Sequence, residues 1–440
     1  MSITYAEARH ILHDEALQHR DSIRASSETI PLKFSVNRIV KDAYDSPIYT
    51  PRWDTSAMDG YALRSEETQL ASEDNPVTFR VVGTVAAGDE PLIVPGNAHT
   101  CVEIMTGARF PTVSSGKPFD CCVRIEDTSA VESTEDPKER LVRVSKPARH
   151  NQHKRIAGED FAIGSRIIDS YTTIRPNHVM ALASVGCTEL TVLPKPRIAL
   201  FSTGAELIVT SNTAQYVPDT NGPYLSTVLE SLGYEVEFLG IIDDNPTATV
   251  QKILECQLQH YDVVITTGAV SAGRFDCVRQ ALEKLNADIL FHHVAMRPGH
   301  PALFARLPDS SQQRATPFFG LPGNPVAAAA CFRFLVLPYL RTLLFQQAET
   351  PITATLRLDV SDDERIKNAS NKQVRFPQQA DIFRAGQILP SSSPDREVRL
   401  IQDHSPGKIR PFVEADCWIH IRREVASLSD GDIVHVFPMV

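Results

Sequence analysis

The sequence predicts a multidomain protein of the α/β plus β class, with a central parallel α/β domain and a β domain on either side of it. The chain has 440 residues, enough for about three or four domains of roughly 100 to 200 residues each. Strand and helix patterns alternate strictly between residues 196 and 348. Short β-like runs separated by turn residues fill the regions on either side.

The chain begins with a helix pattern and continues in an extended form to about residue 50. Thr4 and Glu7 have the spacing of a capping box, in which each side chain satisfies a backbone N–H at the start of a helix. Ala8, Ile11 and Leu12 follow on one helical face. The sequence therefore predicts an amphipathic helix close to the amino terminus.

From residue 51 to about residue 155, the pattern is typical of a small β-barrel or sandwich. Runs such as Val77–Val82 and Leu141–Val144 alternate with turns that contain Gly, Pro and Asp. We expect the polar, acidic stretch Ser129–Arg140 to be a solvated loop and the basic run His150–Arg155 to be solvated surface. The two histidines in that run have no third partner in view and are weak evidence for a metal.

An alternating rhythm begins near residue 196. Strands are predicted at 198–201, 234–242, 262–267 and 289–295, and helices at 225–232, 247–259, 278–285 and from residue 326 onward. Such alternation implies an open parallel sheet covered by helices. Ligands of these sheets bind at the carboxyl ends of the strands, where four loops here are rich in Gly, Pro, Ser and Asn.

Beyond about residue 349 the pattern returns to short strands. They are predicted at 352–358, 417–421 and 433–437, with polar loops between them. These runs indicate a second β domain. No internal repeat of fixed period is visible along the chain.

Composition excludes several classes of function. There are 44 Lys and Arg against 54 Asp and Glu, a formal charge of −10 with a pI near 5.8. This balance argues against a broad surface for nucleic acid or anionic membrane, so any basic site must be local. No stretch approaches the roughly 18 apolar residues that a membrane span needs, and the amino terminus does not have the pattern of a signal peptide. We therefore expect neither a nucleic-acid nor a membrane partner.

The cysteine pattern favours a reducing compartment. Eight cysteines are scattered along the chain, with one adjacent pair and no C-x-x-C motif. This spacing suggests neither a zinc site nor a disulfide framework. We expect a cytoplasmic protein.

The glycine-rich loop Gly268–Gly273 has four possible interpretations. Its G-x-x-x-x-G spacing would open a phosphate-binding P-loop, but Arg274 and Phe275 stand where Lys and a hydroxyl residue are needed. It is also close to a G-x-S-x-G nucleophile elbow, although Ala269 replaces the first glycine and no His and Asp partners can be assigned. What remains open is either a nest of backbone N–H groups that faces an oxyanion or a flat heterocycle, or a tight turn chosen for its geometry alone.

This loop is one of nine motifs that recur in a fixed order. They are Ser56–Ala62, Ile104–Ala108, Arg124–Thr128, Gly158–Asp160, Ser202–Gly204, Asp219–Asn221, Gly268–Asp276, Arg297–Pro301 and Gly320–Pro325. In these motifs, taken together, the chain resembles the MoeA/gephyrin E-domain family, the molybdopterin molybdenumtransferases of molybdenum-cofactor synthesis. The resemblance extends from the first helix to the final strand near Gly431.

The resemblance implies four domains and a homodimer. An elongated linker domain would comprise residues 1–50 and 156–195, and the inserted β domain residues 51–155. A MogA/MoaB-like α/β domain that binds molybdopterin would span 196–348, and a β-barrel 349–440. Active sites of the family lie at the junction between subunits.

The resemblance also implies a reaction. Family members take adenylylated molybdopterin and molybdate, place molybdenum on the dithiolene and release AMP with the help of Mg²⁺. These substrates are anionic, so the site needs N–H nests and a few cations, and Mg²⁺ needs oxygen ligands. The companion domain that some relatives fuse to this one is not seen in the sequence, so an adenylylating partner protein is expected.

Motif positions assign roles to individual residues. Asp59, Asp219 and Asp276 are expected as catalytic and metal-binding carboxylates, with Arg297 as a catalytic cation. An Asp next to a Gly is also a common turn residue. The residues expected to bind molybdopterin are Thr106, Gly107, Ser202, Thr203, Gly204, Asn221, Gly268, Ser271, Gly273, Pro298, Gly299, His300, Pro322, Gly323, Asn324, Arg384 and Ser405.

Several positions depart from the family pattern. Arg297 and His300 stand where lysines are usual in the K-P-G-K-P motif, His293 replaces another lysine, and Ala327 replaces a common hydroxyl residue. Arginine keeps the charge, whereas a histidine with a pKa near its reference of roughly 6.5 is largely neutral at pH 7. The alternative function is therefore a catalytically weakened pterin-binding or scaffold homologue.

Overall fold

The first helix, Tyr5–Ala25, begins at the predicted capping box. This computed structural model describes residues 2–90, 92–133, 136–208, 217–270, 277–308, 315–358, 373–390, 396–401 and 405–440. The Glu7 backbone N–H donates to the Thr4 hydroxyl at 3.2 Å, and the Thr4 N–H donates to the Glu7 carboxylate at 2.7 Å. Ala8 and Leu12 are buried on the inner face, which packs on the helix Leu337–Leu343.

Small strand pairs join the segment after this helix to residues 156–195. Glu28–Pro31 pairs with Glu189–Val192, and Tyr44–Asp45 pairs with Arg166–Ile168. The helix Pro176–Ser184 lies between these pairs along the chain. A third pair joins Thr55–Ser56 to Lys154–Arg155. The domain boundaries themselves stay a prediction.

A six-stranded sheet forms the first β region. Its strands, in spatial order, are Cys121–Arg124, Gly60–Leu63, Thr100–Ile104, Val77–Val85, Arg140–Val144 and Thr128–Glu132. Ile93–Val94 and Thr112–Val113 form a separate pair.

Two expectations for this region were wrong in part. The acidic stretch begins with an edge strand, Thr128–Glu132, because its backbone pairs antiparallel with Arg140–Val144 although three of its five side chains are polar. Within the basic run, the Lys154 side chain is only 12% exposed because its ammonium pairs with Asp54 at 2.8 Å.

The α/β region contains a second six-stranded sheet. Its order is Glu235–Ile242, Arg197–Thr203, Val263–Thr267, Thr316–Leu321, Leu303–Leu307 and Asp288–His292. The first four strands are parallel; three of them were predicted, whereas Thr316–Leu321 was not. The last two are antiparallel additions at one edge. The helices are Asn221–Ser231, Pro246–Leu258, Cys277–Lys284, Pro325–Cys331 and Leu337–Leu343, the last two joined through a π-helical segment, Phe332–Val336.

The single strand expected at 289–295 is two strands in different sheets. The backbone of His293 has φ +77°, which a continuous strand does not adopt. The chain therefore leaves the α/β sheet after Asp288–His292, and Val294–Arg297 pairs with Ile3–Thr4 and with Asp381–Leu389 of the carboxyl-terminal region.

The carboxyl-terminal region contains a closed barrel of five strands. Around the ring they are Asp381–Leu389, Glu397–Leu400, Ile352–Arg357, Ile433–Pro438 and Cys417–Ile421, which pairs again with the first. A short pair, Gln373–Arg375 with Ser427–Ser429, and the helix Arg410–Val413 complete the region. This arrangement confirms the predicted α/β plus β class.

One stretch is apolar and long enough to cross a membrane, contrary to the expectation from the sequence. It is the helical run Pro325–Leu343, 19 residues long. Most of its side chains are buried inside the protein, including Leu335 and Leu340 at 1% and 0% exposure. Because its surface is already covered by protein, this run is the core helix of the α/β region and indicates no membrane span.

Candidate active site

The carboxyl ends of the parallel strands carry a group of buried hydroxyl residues. Ser202 and Thr203 end one strand, and Thr267 ends its neighbour. All three are at most 3% exposed. The Thr203 hydroxyl donates to the Thr267 carbonyl at 3.2 Å. The two strand ends are thus joined at the edge where such sheets bind ligands.

At this edge, the Asp219 carboxylate accepts hydrogen bonds from three donors. The Ser202 hydroxyl donates to Asp219 Oδ2 at 2.7 Å. The backbone N–H groups of Asn221 and Gly222 donate to Oδ1 at 3.0 and 3.1 Å. The carboxylate also stands at the start of the helix Asn221–Ser231, where the helix dipole favours a negative charge. Asp219 is therefore held in one orientation while remaining partly exposed.

The Asn221 side chain connects three loops. Its amide donates to the Thr267 hydroxyl at 2.7 Å and to the Gly323 carbonyl at 2.8 Å. The Thr267 hydroxyl in turn donates to the Pro322 carbonyl at 3.0 Å. The structure thus brings together Ser202, Thr203, Asp219, Asn221, Pro322 and Gly323, which lie far apart in sequence.

Thr267 is a central member that the sequence reasoning did not select. The available signal was its position as the last residue of a predicted buried strand, where a hydroxyl group reaches the ligand edge of the sheet.

Gly268 permits the close approach of these loops. Its φ is +95°, and a Cβ atom at this position would lie 2.2 Å from the Thr203 carbonyl oxygen. Its N–H donates to the Leu321 carbonyl at 3.0 Å. A Cβ on Gly323 would lie 3.6 Å from the Gly268 Cα. Only glycine satisfies both the backbone angle and the space at position 268.

Three of the predicted site residues lie outside the described residues. They are Ser271, Gly273 and Asp276, in the loop that follows Val270. The described part of this loop is anchored from the opposite edge of the sheet, because His292 Nε2 lies 3.0 Å from the Val270 carbonyl oxygen.

Three histidines form a stack beside this loop. The rings of His292 and His293 are 3.9 Å apart, and those of His293 and His300 are 5.1 Å apart. His300 Nδ1 lies 2.8 Å from the Val294 carbonyl oxygen. Burial, and then the neighbouring His292 and His300, lower the pKa of His293. In place of the permanent charge of a lysine, the His293 imidazole thus has a charge that depends on pH.

In the adjoining turn, Arg297 lies at the surface and the two residues after it are buried. Arg297 is exposed at the end of its strand and pairs with Ile382 of the barrel. Pro298 and Gly299 are buried, and a Cβ on Gly299 would lie 2.6 Å from Cys331 Sγ. Arg297 is therefore the member of this turn with a charged group open to an anion.

The barrel approaches the site at the start of the helix Pro325–Cys331. Asn324 precedes this helix and is exposed. The Val326 N–H donates to the Pro406 carbonyl at 3.0 Å, which places Ser405 on the segment next to this helix start. Arg384 donates to the Ile401 carbonyl at 3.2 Å. Ala327, where relatives commonly carry a hydroxyl, is 3% exposed.

Asp59 belongs to a second cluster, in the first β region. Its Oδ1 accepts from the Thr106 N–H at 2.6 Å and from the Thr106 hydroxyl at 2.8 Å. These bonds lower the pKa of the Asp59 carboxyl. The Gly107 N–H donates to the Ser56 carbonyl at 2.8 Å. Among the described residues, no hydrogen bond joins this cluster to that of Asp219.

The described residues supply two carboxylates of the predicted magnesium site, Asp59 and Asp219. They contain no group of three His, Cys, Asp or Glu side chains that could hold a metal ion, and Asp276 lies outside them. Asp59 and Asp219 offer carboxylate oxygens, the donors that Mg²⁺ prefers. Their chemistry fits the ion, with water or phosphate oxygens completing its shell.

Three family models together match most of the chain. Residues 3–186 match the MoeA N-terminal region (domains I and II), residues 199–342 match a probable molybdopterin-binding domain, and residues 375–439 match the MoeA C-terminal region (domain IV). The matches follow one another in the order of the three regions described above.

Individual proteins show the same similarity. The molybdopterin molybdenumtransferase of Synechococcus elongatus is 30% identical over 439 residues, covering 99% of both chains. That of Nostoc is 33% identical over 72% of this chain and 69% of its own. A crystal structure of a MoeA protein from Pyrococcus horikoshii covers all of both chains with a TM-score of 0.75 at 25% identity. The chain therefore belongs to the MoeA family of molybdopterin molybdenumtransferases.

Proposed function

We propose that the protein inserts molybdenum from molybdate into adenylylated molybdopterin and releases AMP in a Mg²⁺-dependent reaction. The observation that carries this proposal is the hydrogen-bonded set of Ser202, Asp219, Asn221 and Thr267 at the carboxyl ends of the parallel strands. It joins a fixed carboxylate to a helix start and to loops rich in glycine. The glycine-rich loops would let backbone N–H groups approach an anionic ligand, and the carboxylate would serve a cation bound to that ligand.

The residues named above would have two kinds of role: some would bind the pterin and its phosphates, and others would supply charge to the oxyanion or to Mg²⁺. Ser202, Thr203, Gly204, Asn221, Gly268, Gly323 and Asn324 would line the pterin and its phosphates. Arg297, Arg384 and Ser405 would face the oxyanion, because a guanidinium fork matches two oxygens of one anion. Asp219 and Asp59, together with Asp276, would hold Mg²⁺. When bound, Mg²⁺ would neutralise phosphate charge as AMP leaves.

Genetic complementation tests this function. Expression of the chain in a bacterial strain that lacks its own molybdenumtransferase is expected to restore a molybdenum-dependent activity such as nitrate reduction. An empty vector serves as the control. A well-expressed protein that restores no activity would contradict the proposal.

We further propose a cytoplasmic homodimer that receives its adenylylated substrate from a separate protein. All eight cysteines are buried and none is in a disulfide, which fits a reducing compartment. Asp59 and Asp219 form separate clusters in one chain. A site completed across the dimer interface would bring the two carboxylates together.

Mixing two inactive variants tests the shared site. Asp59→Asn and Asp219→Asn are each expected to be inactive as homodimers. When the two are unfolded and refolded together, mixed dimers are expected to regain part of the AMP release, because one of their two sites has both carboxylates. Refolding each variant alone is the control. No recovery in mixed dimers would show that each site is built within one chain.

The histidine stack favours the second candidate, a weakened pterin-binding homologue. With the pKa of His293 lowered, this side chain is neutral at pH 7, and the anion site lacks a permanent cation that relatives have.

Restoring the lysines separates the candidates. In the double variant His293→Lys and His300→Lys, the KM for molybdate at pH 7.5 is expected to fall roughly 30-fold, since each of the two added charges near an anion in water contributes about 1 kcal/mol. Because the pKa of His293 is lowered, its imidazole in the wild type gains a charge only at a pH below the ordinary histidine value of about 6.5. The wild-type KM should therefore fall with decreasing pH, whereas that of the variant should stay flat. Equal pH profiles would exclude the histidines from the anion site.

A further inference from the structure

A cavity of about 240 Å³ lies between the first helix, the end of the helix Leu337–Leu343 and the barrel strand Ile433–Pro438. None of the residues assigned above to the pterin, the oxyanion or Mg²⁺ lines it. Four arginines do: Arg9, Arg20, Arg333 and Arg341. Such a concentration of one sign of charge is unexpected in a protein with a formal charge of −10.

The described residues that line this cavity carry more positive than negative charge. Among the described residues that line it, Glu349 is the only acidic one. A single oxygen, Glu349 Oε2, accepts from Arg333 at 2.7 Å and from Arg341 at 2.6 Å. The Arg333 side chain is 3% exposed, so its charge is largely removed from water. Two guanidinium groups thus share one carboxylate, which leaves a net positive charge in a partly buried place.

The other two arginines have no acidic partner. Arg9 donates to the Tyr5 hydroxyl at 3.0 Å, and the guanidinium of Arg20 lies 4.5 Å from the centre of the Phe345 ring. Among the described residues, neither has a carboxylate within 4.0 Å. The buried Nε of Arg20 also has no hydrogen-bond partner there. Buried donors are nearly always paired. We therefore infer that this N–H donates to an acceptor from outside the chain.

We propose that the arginine cavity binds a small oxyanion of the phosphate type, either free phosphate or a phosphate ester. Guanidinium groups bind phosphate through paired hydrogen bonds. The volume admits a phosphate group with only a small organic body, and Phe345 supplies an apolar wall. Because the lining comes from the first helix, the α/β region and the barrel, a bound anion would also hold these three parts together.

Calorimetric titration of the full chain tests the proposal. With inorganic phosphate at constant ionic strength, set with NaCl at pH 7.5, we expect saturable binding and a raised melting temperature. Arg20→Gln should weaken this binding at least tenfold, and Arg20→Lys less, because lysine keeps the charge. Arg9→Gln is a second test if Arg20→Gln does not fold. Tighter binding of phenyl phosphate would identify a phosphate ester as the ligand, and equal binding would identify the free ion.

Two control variants test whether phosphate binds in the arginine cavity and not elsewhere on the protein. Arg143 is exposed in the first β region, and Arg143→Gln should leave phosphate binding unchanged. Arg384→Gln alters the proposed transferase site and should also leave the affinity of the arginine cavity unchanged. The proposal is overturned if phosphate binds no better than chloride. It is also overturned if Arg384→Gln abolishes all binding while Arg20→Gln has no effect.

Discussion

The variant Asp219→Asn is expected to release AMP at least about 100-fold more slowly than the wild type, the scale typical of removing a charged group from a preorganised site. The change keeps the size of the side chain and one oxygen for the Asn221 and Gly222 N–H groups. It removes the negative charge that would hold a cation against the phosphates. The measurement is AMP release by the purified variant with adenylylated molybdopterin, molybdate and Mg²⁺.

Asp120→Asn is a matched control for this loss. Asp120 accepts from the Ser65 N–H and from the Ser65 hydroxyl, both at 2.7 Å, much as Asp219 accepts from backbone N–H groups and a serine. It belongs to the first β region and has no proposed role with the substrate. Both variants should lose no more than about 2 kcal/mol of unfolding free energy, and only Asp219→Asn should lose turnover. Equal activity of the two variants would remove Asp219 from the chemistry.

The variant Gly268→Ala is expected to lower the free energy of unfolding by about 3 kcal/mol or more and to abolish pterin binding. The added Cβ would stand 2.2 Å from the Thr203 carbonyl oxygen and would require φ +95° of an alanine. Overpacking costs about 1 to 3 kcal/mol, and a strained backbone angle adds a similar amount. Urea unfolding and titration with molybdopterin measure the two effects.

The variant Gly240→Ala is a control that separates the steric clash of an added Cβ from the backbone strain of a positive φ. Gly240 also has a positive φ, +86°, but a Cβ there would have open space around it. Its variant should lose only the smaller strain energy and should keep pterin binding. If both variants lose the same stability, the close approach of the loops at Gly268 is not a real constraint.

Local patterns predicted most of the helices and parallel strands. The buried run before Ser202 and the capping box at Thr4 are local features, and both are confirmed. The division at His293 was not predicted, because histidine is enriched at positive φ but most histidines do not adopt it, so the sequence signal is weak. The edge strand Thr128–Glu132 was also missed, since backbone pairing with a neighbour overrides the polarity of its side chains.

The candidate site was predictable where motifs lie at strand ends. Ser202, Asp219 and Asn221 were selected from sequence, and hydrogen bonds join them. Thr267 was missed because its role depends on contacts with two other loops. The stack of His292, His293 and His300 was equally hidden, because residue types alone do not show which rings lie face to face.

Reconstitution with purified components tests the transferase activity most directly. The wild-type chain is incubated with adenylylated molybdopterin, molybdate and Mg²⁺, and both AMP and active molybdenum cofactor are measured. We predict that the two products appear together and that omission of either molybdate or Mg²⁺ prevents both. AMP no higher than in the buffer control, while adenylylated molybdopterin remains bound to the protein, would contradict the account.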